Sequence, residues 1–256
     1  MSDIFGPDYS NVYNSLYTDK NYAAECDLIE RLFERHAQGS VRKILDLGCG
    51  TGNHSVLMSQ RGYEVMGIER SDHMLAVAQG RIPVDAGNRL RFRSGDIRDV
   101  QLGETFDAAL ILFAVLGYQI ENSDVLGTLR TARRHLEPGG LLVFDVWYGP
   151  AVLRERPSDR AKVIPTQDGK ILRLASGELN TAAHTCSVRY HLWQFRGDQV
   201  VSETQENHLM RYFFPKELDL FLEGCGFSPV RLGAFPDFDQ DPTDTTWNVT
   251  AVARAV

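Results

Sequence analysis

The stretch Ile44-Leu45-Asp46-Leu47-Gly48-Cys49-Gly50-Thr51-Gly52 restricts the fold more than any other part of the chain. The branched, apolar character of Val41 to Leu47 predicts a strand buried on both faces, as at the centre of a parallel sheet. Gly48, Gly50 and Gly52 then permit positive φ and leave no Cβ between the backbone and a bound ligand. Thr51 or Asn53 is placed to cap a helix that continues through His54, Val56, Leu57 and Met58. A strand, a glycine turn and a helix N-terminus in succession form a place where backbone N–H groups hold a nucleotide-like ligand.

The spacing narrows the ligand. A dinucleotide fingerprint reads G-x-G-x-x-G and turns helix amides toward a pyrophosphate; this turn reads G-x-G-x-G. Asp46, two residues before the first glycine, would repel a pyrophosphate but suits an ammonium or sulfonium group. Both features disfavour a nicotinamide-dependent oxidoreductase. The next predicted strand, Tyr63 to Ile68, ends in Glu69, placed to accept hydrogen bonds from both hydroxyls of a ribose. A third acid stands in Gly95-Asp96-Ile97, after the apolar segment around Leu90 and Phe92. An adenosine with a cationic amino-acid tail satisfies all three acids.

These residues resemble motif I, the ribose acid and the adenine-site acid of class I S-adenosylmethionine-dependent methyltransferases, over roughly residues 40 to 147. The L-x-P-G-G-x-hydrophobic stretch at Leu136 to Leu141 resembles the same pattern. The resemblance implies a Rossmann-like α/β fold: a seven-stranded, mostly parallel sheet with its last strand antiparallel and helices on both faces. It implies S-adenosylmethionine as methyl donor and S-adenosylhomocysteine as product. The cofactor-binding candidates are Tyr13, Tyr22, Asp46, Gly48, Gly50, Gly52, Glu69, Arg70, Met74, Gly95, Asp96, Ile97 and Phe113. Near the N-terminus, Val12-Tyr13-Asn14-Ser15-Leu16-Tyr17 followed by Asp19 to Glu25 resembles the opening of sugar N,N-dimethyltransferases of macrolide deoxysugar pathways. In that group the segment closes the active site, so Tyr13 and Tyr22 are the lid contacts. A module that binds the cofactor without turnover is the alternative reading.

The whole chain is consistent with a small-molecule enzyme. Its 256 residues suffice for one elaborated domain, and a formal charge of −7 argues against a nucleic-acid substrate. Cys26, Cys49, Cys186 and Cys225 share no metal-ligand or disulfide spacing. No carboxylate pair or His/Asp cluster compels a metal. With no leader pattern and no long apolar run, a cytoplasmic protein without a membrane span is expected. A homodimer stays open.

Residues 1–36 are expected to form a polar, tyrosine-bearing lid (Tyr9, Tyr13, Tyr17) and a helix from about Asn21 with Leu28, Ile29, Leu32 and Phe33 on its apolar stripe. Residues 37–147 and 212–256 form the core. Ser71 caps a helix carrying Met74, Leu75 and Ala78, and Phe106 to Phe113 and Leu141 to Val146 are further strands, with a sharp turn at Pro138-Gly139-Gly140. Between 148 and 211 the period changes: Ile171 to Leu179, Val188 to Phe195 and Val200 to Met210 alternate as strands. They predict an antiparallel insertion of three or four strands over the active site. Pro215 opens a helix that stops at Gly226, and Phe227 to Leu232 and Trp247 to Ala253 pair antiparallel. Phe113, Ala114 and Tyr118 should line the methyl-transfer pocket, with Trp147 and Tyr148 walling the acceptor. An Asn/Asp-Pro-Pro-Tyr motif is absent. The catalytic candidates are Tyr13, His208 as a base, and Arg211 as a partner for an anionic substrate group; His54, His184 and His191 are lesser ones. An amine of a small molecule, an amino sugar by the resemblance, is favoured over a hydroxyl, because an amine need only be neutral to attack.

Overall fold

The structure, a computed structural model, describes residues 4–256. The chain opens with helices α1 (Pro7–Leu16) and α2 (Tyr22–His36), then enters β1 (Lys43–Leu47). Helix α3 (Asn53–Gln60), β2 (Glu64–Glu69), α4 (Asp72–Gln79), β3 (Leu90–Ser94), β4 (Phe106–Ile111), α5 (Asn122–Arg134) and β5 (Leu136–Trp147) follow as βα units. After α6 (Gly149–Glu155) come β6 (Arg160–Thr166), β7 (Gly169–Asn180), β8 (Thr185–Arg196) and β9 (Gln199–Arg211). Helix α7 (Pro215–Gly224), β10 (Phe227–Ala234) and β11 (Asn248–Ala255) complete the chain.

The main sheet has seven strands in the order β10-β11-β5-β4-β1-β2-β3. Strand β1 pairs parallel with β2 and β4, setting Asp46 beside Gly67 and Leu110. Strand β11 runs antiparallel to both β5 and β10. One apolar layer packs α5 and α7 on the sheet through Val125, Leu129, Leu218 and Leu222, and the other packs α2 through Leu28, Ile29, Leu32 and Phe33. Strand order reverses between β1 and β4, so a crevice opens beyond the carboxyl ends of the strands there.

Three local expectations are corrected. Pro138-Gly139-Gly140 lies inside β5 as an irregularity rather than before it: Phe106 pairs with Leu136 and Ala108 with Leu141, with Gly139 at φ 83°. The tyrosine-bearing segment expected to be polar is an amphipathic helix over residues 7–16, for Pro7 starts α1, and its Tyr9, Val12, Tyr13 and Leu16 are buried. That i, i+3, i+4, i+7 stripe packs against Met74 of α4 and Ile164, Ile171 and Leu192 of the second sheet. Finally, neither Thr51 nor Asn53 caps α3; Gly52 is its N-cap, at φ 77° and without a side-chain bond.

The second sheet is antiparallel, in the order β6-β7-β8-β9. Its strand β6 offers only Ile164 as a buried residue, which is why its alternation is faint in the sequence. This sheet and α1 together cover the crevice.

Candidate active site

A cavity of about 1060 Å³ extends from the carboxyl edge of β1, β2 and β3 to the inner face of the second sheet. Asp46, Glu69 and Asp96 come from three neighbouring strand ends and all line it. Asp46 is 2% exposed and accepts a hydrogen bond from Ser55 Oγ. Burial raises its pKa, and the Ser55 bond opposes that rise. Asp96 behaves in the opposite way: the Arg98 guanidinium, in two bonds of 2.9 and 2.7 Å, holds its carboxyl below the usual range.

Glu69 receives three backbone N–H groups: Gly50 at 3.0 Å on Oε2, and Arg70 and Ser71 at 2.8 Å each on Oε1. Desolvation raises its pKa while these three donors lower it. A carboxylate offers about four lone-pair sites, so one, on Oε2, is left. The expectation that Glu69 takes both hydroxyls of a ribose is corrected accordingly: it has room for one.

The glycine turn is anchored to β2, with Gly48 and Cys49 N–H donating to Ile68 O at 2.8 and 3.0 Å. Gly48 and Gly50 border the cavity, and nothing lies within 4 Å of where a Cβ on Gly50 would stand. Gly52 and Gly95 do not border it. Their missing Cβ atoms make room for the core instead, against Phe92 (2.7 Å) and Val100 (2.9 Å). Arg70, Met74 and Ile97 line the same end. The roof is tied to the turn by Asn14, whose Oδ1 accepts from Thr51 Oγ1 at 2.8 Å and Asn53 Nδ2 at 3.2 Å.

Tyr13, Tyr17, Tyr22, Phe113, Tyr118 and Tyr190 form an aromatic belt around the middle of the cavity. Tyr17 meets Phe113 edge-on at 5.1 Å and lies tilted to Tyr13 at 4.9 Å. At the far end His208 Nδ1 lies 2.8 Å from the Tyr118 hydroxyl, and burial lowers its pKa to about 4. Its Nε2 stands 3.5 Å from Glu206 Oε2. His208 thus lines the cavity as expected, in contact with Tyr118, with burial disfavouring its protonated form. Arg211 as a partner for an anionic substrate group is corrected. It is one residue past Met210, on the opposite face of β9, where it pairs with Glu217 and donates to Ile120 O at 3.1 Å. It does not line the cavity. Neither does Tyr148; His184 stacks on Tyr212, and His191 pairs with Glu203. His54 does line it, bonded to Glu25 at 2.7 Å, and Glu25 also pairs with Lys20.

Two features went unread in the sequence. Asp145, at the end of β5, lines the cavity and accepts the N–H groups of Phe113 and Ala114. The signal was present, since Leu141 to Phe144 ending in an acid repeats the logic of Ile44 to Asp46. Arg173, on β7, also lines the cavity; its Nε has no hydrogen-bond partner and no ion pair involves it among the described residues. Its guanidinium instead stands over the Tyr17 and Tyr190 rings, at 5.9 and 5.5 Å, a placement invisible without the fold.

Residues 44–140 match the model of a methyltransferase domain family. The chain carries a methyltransferase domain. Its methyl donor is S-adenosylmethionine, and the site fits that molecule: an open cradle at Gly50 and three acids facing one cavity suit a cationic, ribose-bearing ligand. The chain is 28% identical over 238 residues, 92% of each protein, to dTDP-4-amino-2,3,4,6-tetradeoxy-D-glucose N,N-dimethyltransferase of Saccharopolyspora spinosa. It is 34% identical over 150 residues (57% of this chain, 60% of the relative) to dTDP-3-amino-3,4,6-trideoxy-alpha-D-glucopyranose N,N-dimethyltransferase of Streptomyces venezuelae. The fold matches CalS10, an amino pentose methyltransferase from Micromonospora echinaspora solved with the methyl donor bound, at TM-score 0.75 and 22% identity over all of both chains. The domain transfers methyl groups.

Proposed function

We propose that this enzyme methylates the amino group of a nucleotide-linked amino sugar. The observation that carries the reading is the similarity to an aminosugar N,N-dimethyltransferase along 92% of both chains. The cavity supports it. In this reading residues 1–36 are a lid and helix, 37–147 and 212–256 the catalytic core, and 148–211 a substrate cap.

The bound donor would supply a sulfonium methyl group, transferred in line to nitrogen. Asp46 would face the cationic amino-acid tail, with Gly48 and Gly50 admitting the backbone approach. Glu69 Oε2 would accept one ribose hydroxyl. Asp96, Ile97, Met74 and Arg70 would enclose the base. Tyr13, Tyr22 and Phe113 would close over the reacting end and exclude water, so alignment and desolvation carry most of the rate. With His208 in the tautomer whose Nδ1 accepts, the Tyr118 hydroxyl would donate to it and leave the phenol oxygen free to accept an N–H of the amine and aim its lone pair. On the cap, Arg173 and Arg160 offer guanidinium groups to a pyrophosphate.

The test combines calorimetric titration with S-adenosylhomocysteine and mass spectrometry of dTDP-3-amino-3,4,6-trideoxy-alpha-D-glucopyranose incubated with the methyl donor. One or two added methyl groups support the reading. Protein that binds S-adenosylhomocysteine but modifies no nucleotide-linked amino sugar overturns the acceptor and leaves the donor assignment standing.

A further inference from the structure

Asp145 has no part in binding the donor or the acceptor as proposed, yet its surroundings are unusual. Its two carboxylate oxygens take the N–H groups of consecutive residues, Phe113 on Oδ1 and Ala114 on Oδ2, the latter at 2.9 Å. Both residues have left-handed backbones, with φ 65° and 56°. Neither is glycine, so each is held in a region that L side chains disfavour. The step they form turns the chain out of β4 and into the 3-10 turn Val115–Tyr118. That turn touches both halves of the site. Val115 packs where a Cβ on Gly48 would stand, 2.5 Å from Val115 Cγ1, and Tyr118 reaches His208.

We propose that Asp145 is a positioning residue whose carboxylate clamps the left-handed Phe113-Ala114 step and thereby fixes Phe113 and Tyr118 against the acceptor. The inference rests on the proposed methyl transfer for its kinetic part only. Opposite Asp145 on β11 stands Thr250, whose hydroxyl has no partner among the described residues. The charged groups acting on Asp145 are Lys20, which favours its ionised form, and Glu25, which opposes it. Desolvation dominates and pushes its pKa up to about 6. Protonation removes acceptor capacity, so the clamp loosens as pH falls through that value.

The experiment compares Asp145→Asn with the double variant Asp145→Asn/Ala114→Gly and the wild type. An asparagine can accept only one of the two N–H groups. Glycine adopts the left-handed step unaided, so it should make the clamp dispensable. The expected result for Asp145→Asn is a kcat lowered about 10- to 100-fold with S-adenosylhomocysteine affinity nearly unchanged. Amide exchange at Phe113 and Ala114 should accelerate by about 100-fold. The double variant should recover most of kcat. Retained amide protection in Asp145→Asn, or no recovery with glycine, overturns the proposal. Should Asp145→Asn not fold, the wild type decides: its Phe113 and Ala114 amides must be protected from exchange at neutral pH and lose that protection on acidification, and fast exchange at neutral pH overturns the clamp. If the wild type turns over no amino sugar, the acceptor reading fails by itself, and the exchange measurements still decide the clamp.

Discussion

Replacing Glu69 tests the donor site most directly. Its carboxylate takes three backbone N–H groups and keeps one free lone pair on Oε2 for the ligand. A hydrogen bond to a charged acceptor contributes about 1.5–3 kcal/mol. Glu69→Ala should therefore weaken S-adenosylhomocysteine binding by about 10- to 150-fold through the lost ribose contact alone. Disorder of the Gly50 to Thr51 turn would add to that loss, because Gly50 N–H also loses its partner. Glu69→Gln is the informative companion. With its amide nitrogen at the Oε2 position, it forfeits the Gly50 bond yet donates to the ribose oxygen in place of accepting, so the loss should be several-fold smaller.

The pH dependence carries a sign. Burial raises the Glu69 pKa above its ordinary value. A raised carboxyl favours folding below its unfolded pKa, and that contribution is lost as pH rises through the folded one. Ligand binding needs the ionised form, so wild-type affinity should fall on acidification, and Glu69→Gln should show a shallower fall, that of Asp46, whose pKa burial also raises. Calorimetry from pH 5 to 8 with both variants measures this. Wild-type affinity in a folded Glu69→Ala protein would refute the reasoning.

Three further outcomes are expected. His208 has its pKa lowered to about 4 from an ordinary 6.5. Its contribution to folding is present above pH 6.5 and lost as pH falls toward 4, to a limit of about 3 kcal/mol; His208→Phe should flatten that part of the denaturant-stability profile. Arg211→Ala breaks a buried pair with Glu217 and should cost about 3–5 kcal/mol of stability, read from urea midpoints, while S-adenosylhomocysteine affinity in the folded fraction is unchanged. Arg173→Ala should raise KM for the nucleotide-linked acceptor about tenfold and reduce its salt dependence, with kcat nearly constant; an unchanged KM would remove Arg173 from the acceptor site.

Features governed by local chemistry were legible in the sequence. The β1 strand, the glycine turn, Ser71 as a cap and the acids Asp46, Glu69 and Asp96 each follow from residues within a few positions of one another. The stripe Tyr9, Val12, Tyr13, Leu16 was equally readable as a helix, but three tyrosines in a polar context masked it. Arg211 was misplaced by one residue of strand register, which in a pleated sheet exchanges cavity for core. The contact of Tyr118 with His208 spans 90 positions. No local pattern encodes such a pair, because the fold of the second sheet alone brings it together.

Charge along the cavity gives the strongest physical link between fold and reaction. The β1–β3 end presents Asp46, Glu69 and Asp96, and the cations there are already engaged: Arg98 with Asp96, Lys20 with Glu25. The opposite end presents Arg160 and Arg173, with no ion pair to either among the described residues. Between them lie the phenols, with burial raising the Tyr13 and Tyr118 pKa values, while Lys20 stands 4.3 Å over the Phe113 ring and the Asp145 carboxylate holds the Phe113 backbone. A cationic donor and a pyrophosphate-bearing acceptor would each be drawn to its own end, so mistaken binding of either at the other end is opposed by like charge. Methyl transfer would then occur among the aromatic rings between the two ends, where charge disperses from sulfonium toward nitrogen. The argument requires opposite salt responses: added salt should raise KM for the acceptor through Arg173 and weaken donor binding through Asp46, while kcat at saturation stays level. A kcat that falls steeply with salt would place screened charge at the reacting atoms and contradict this division of the cavity.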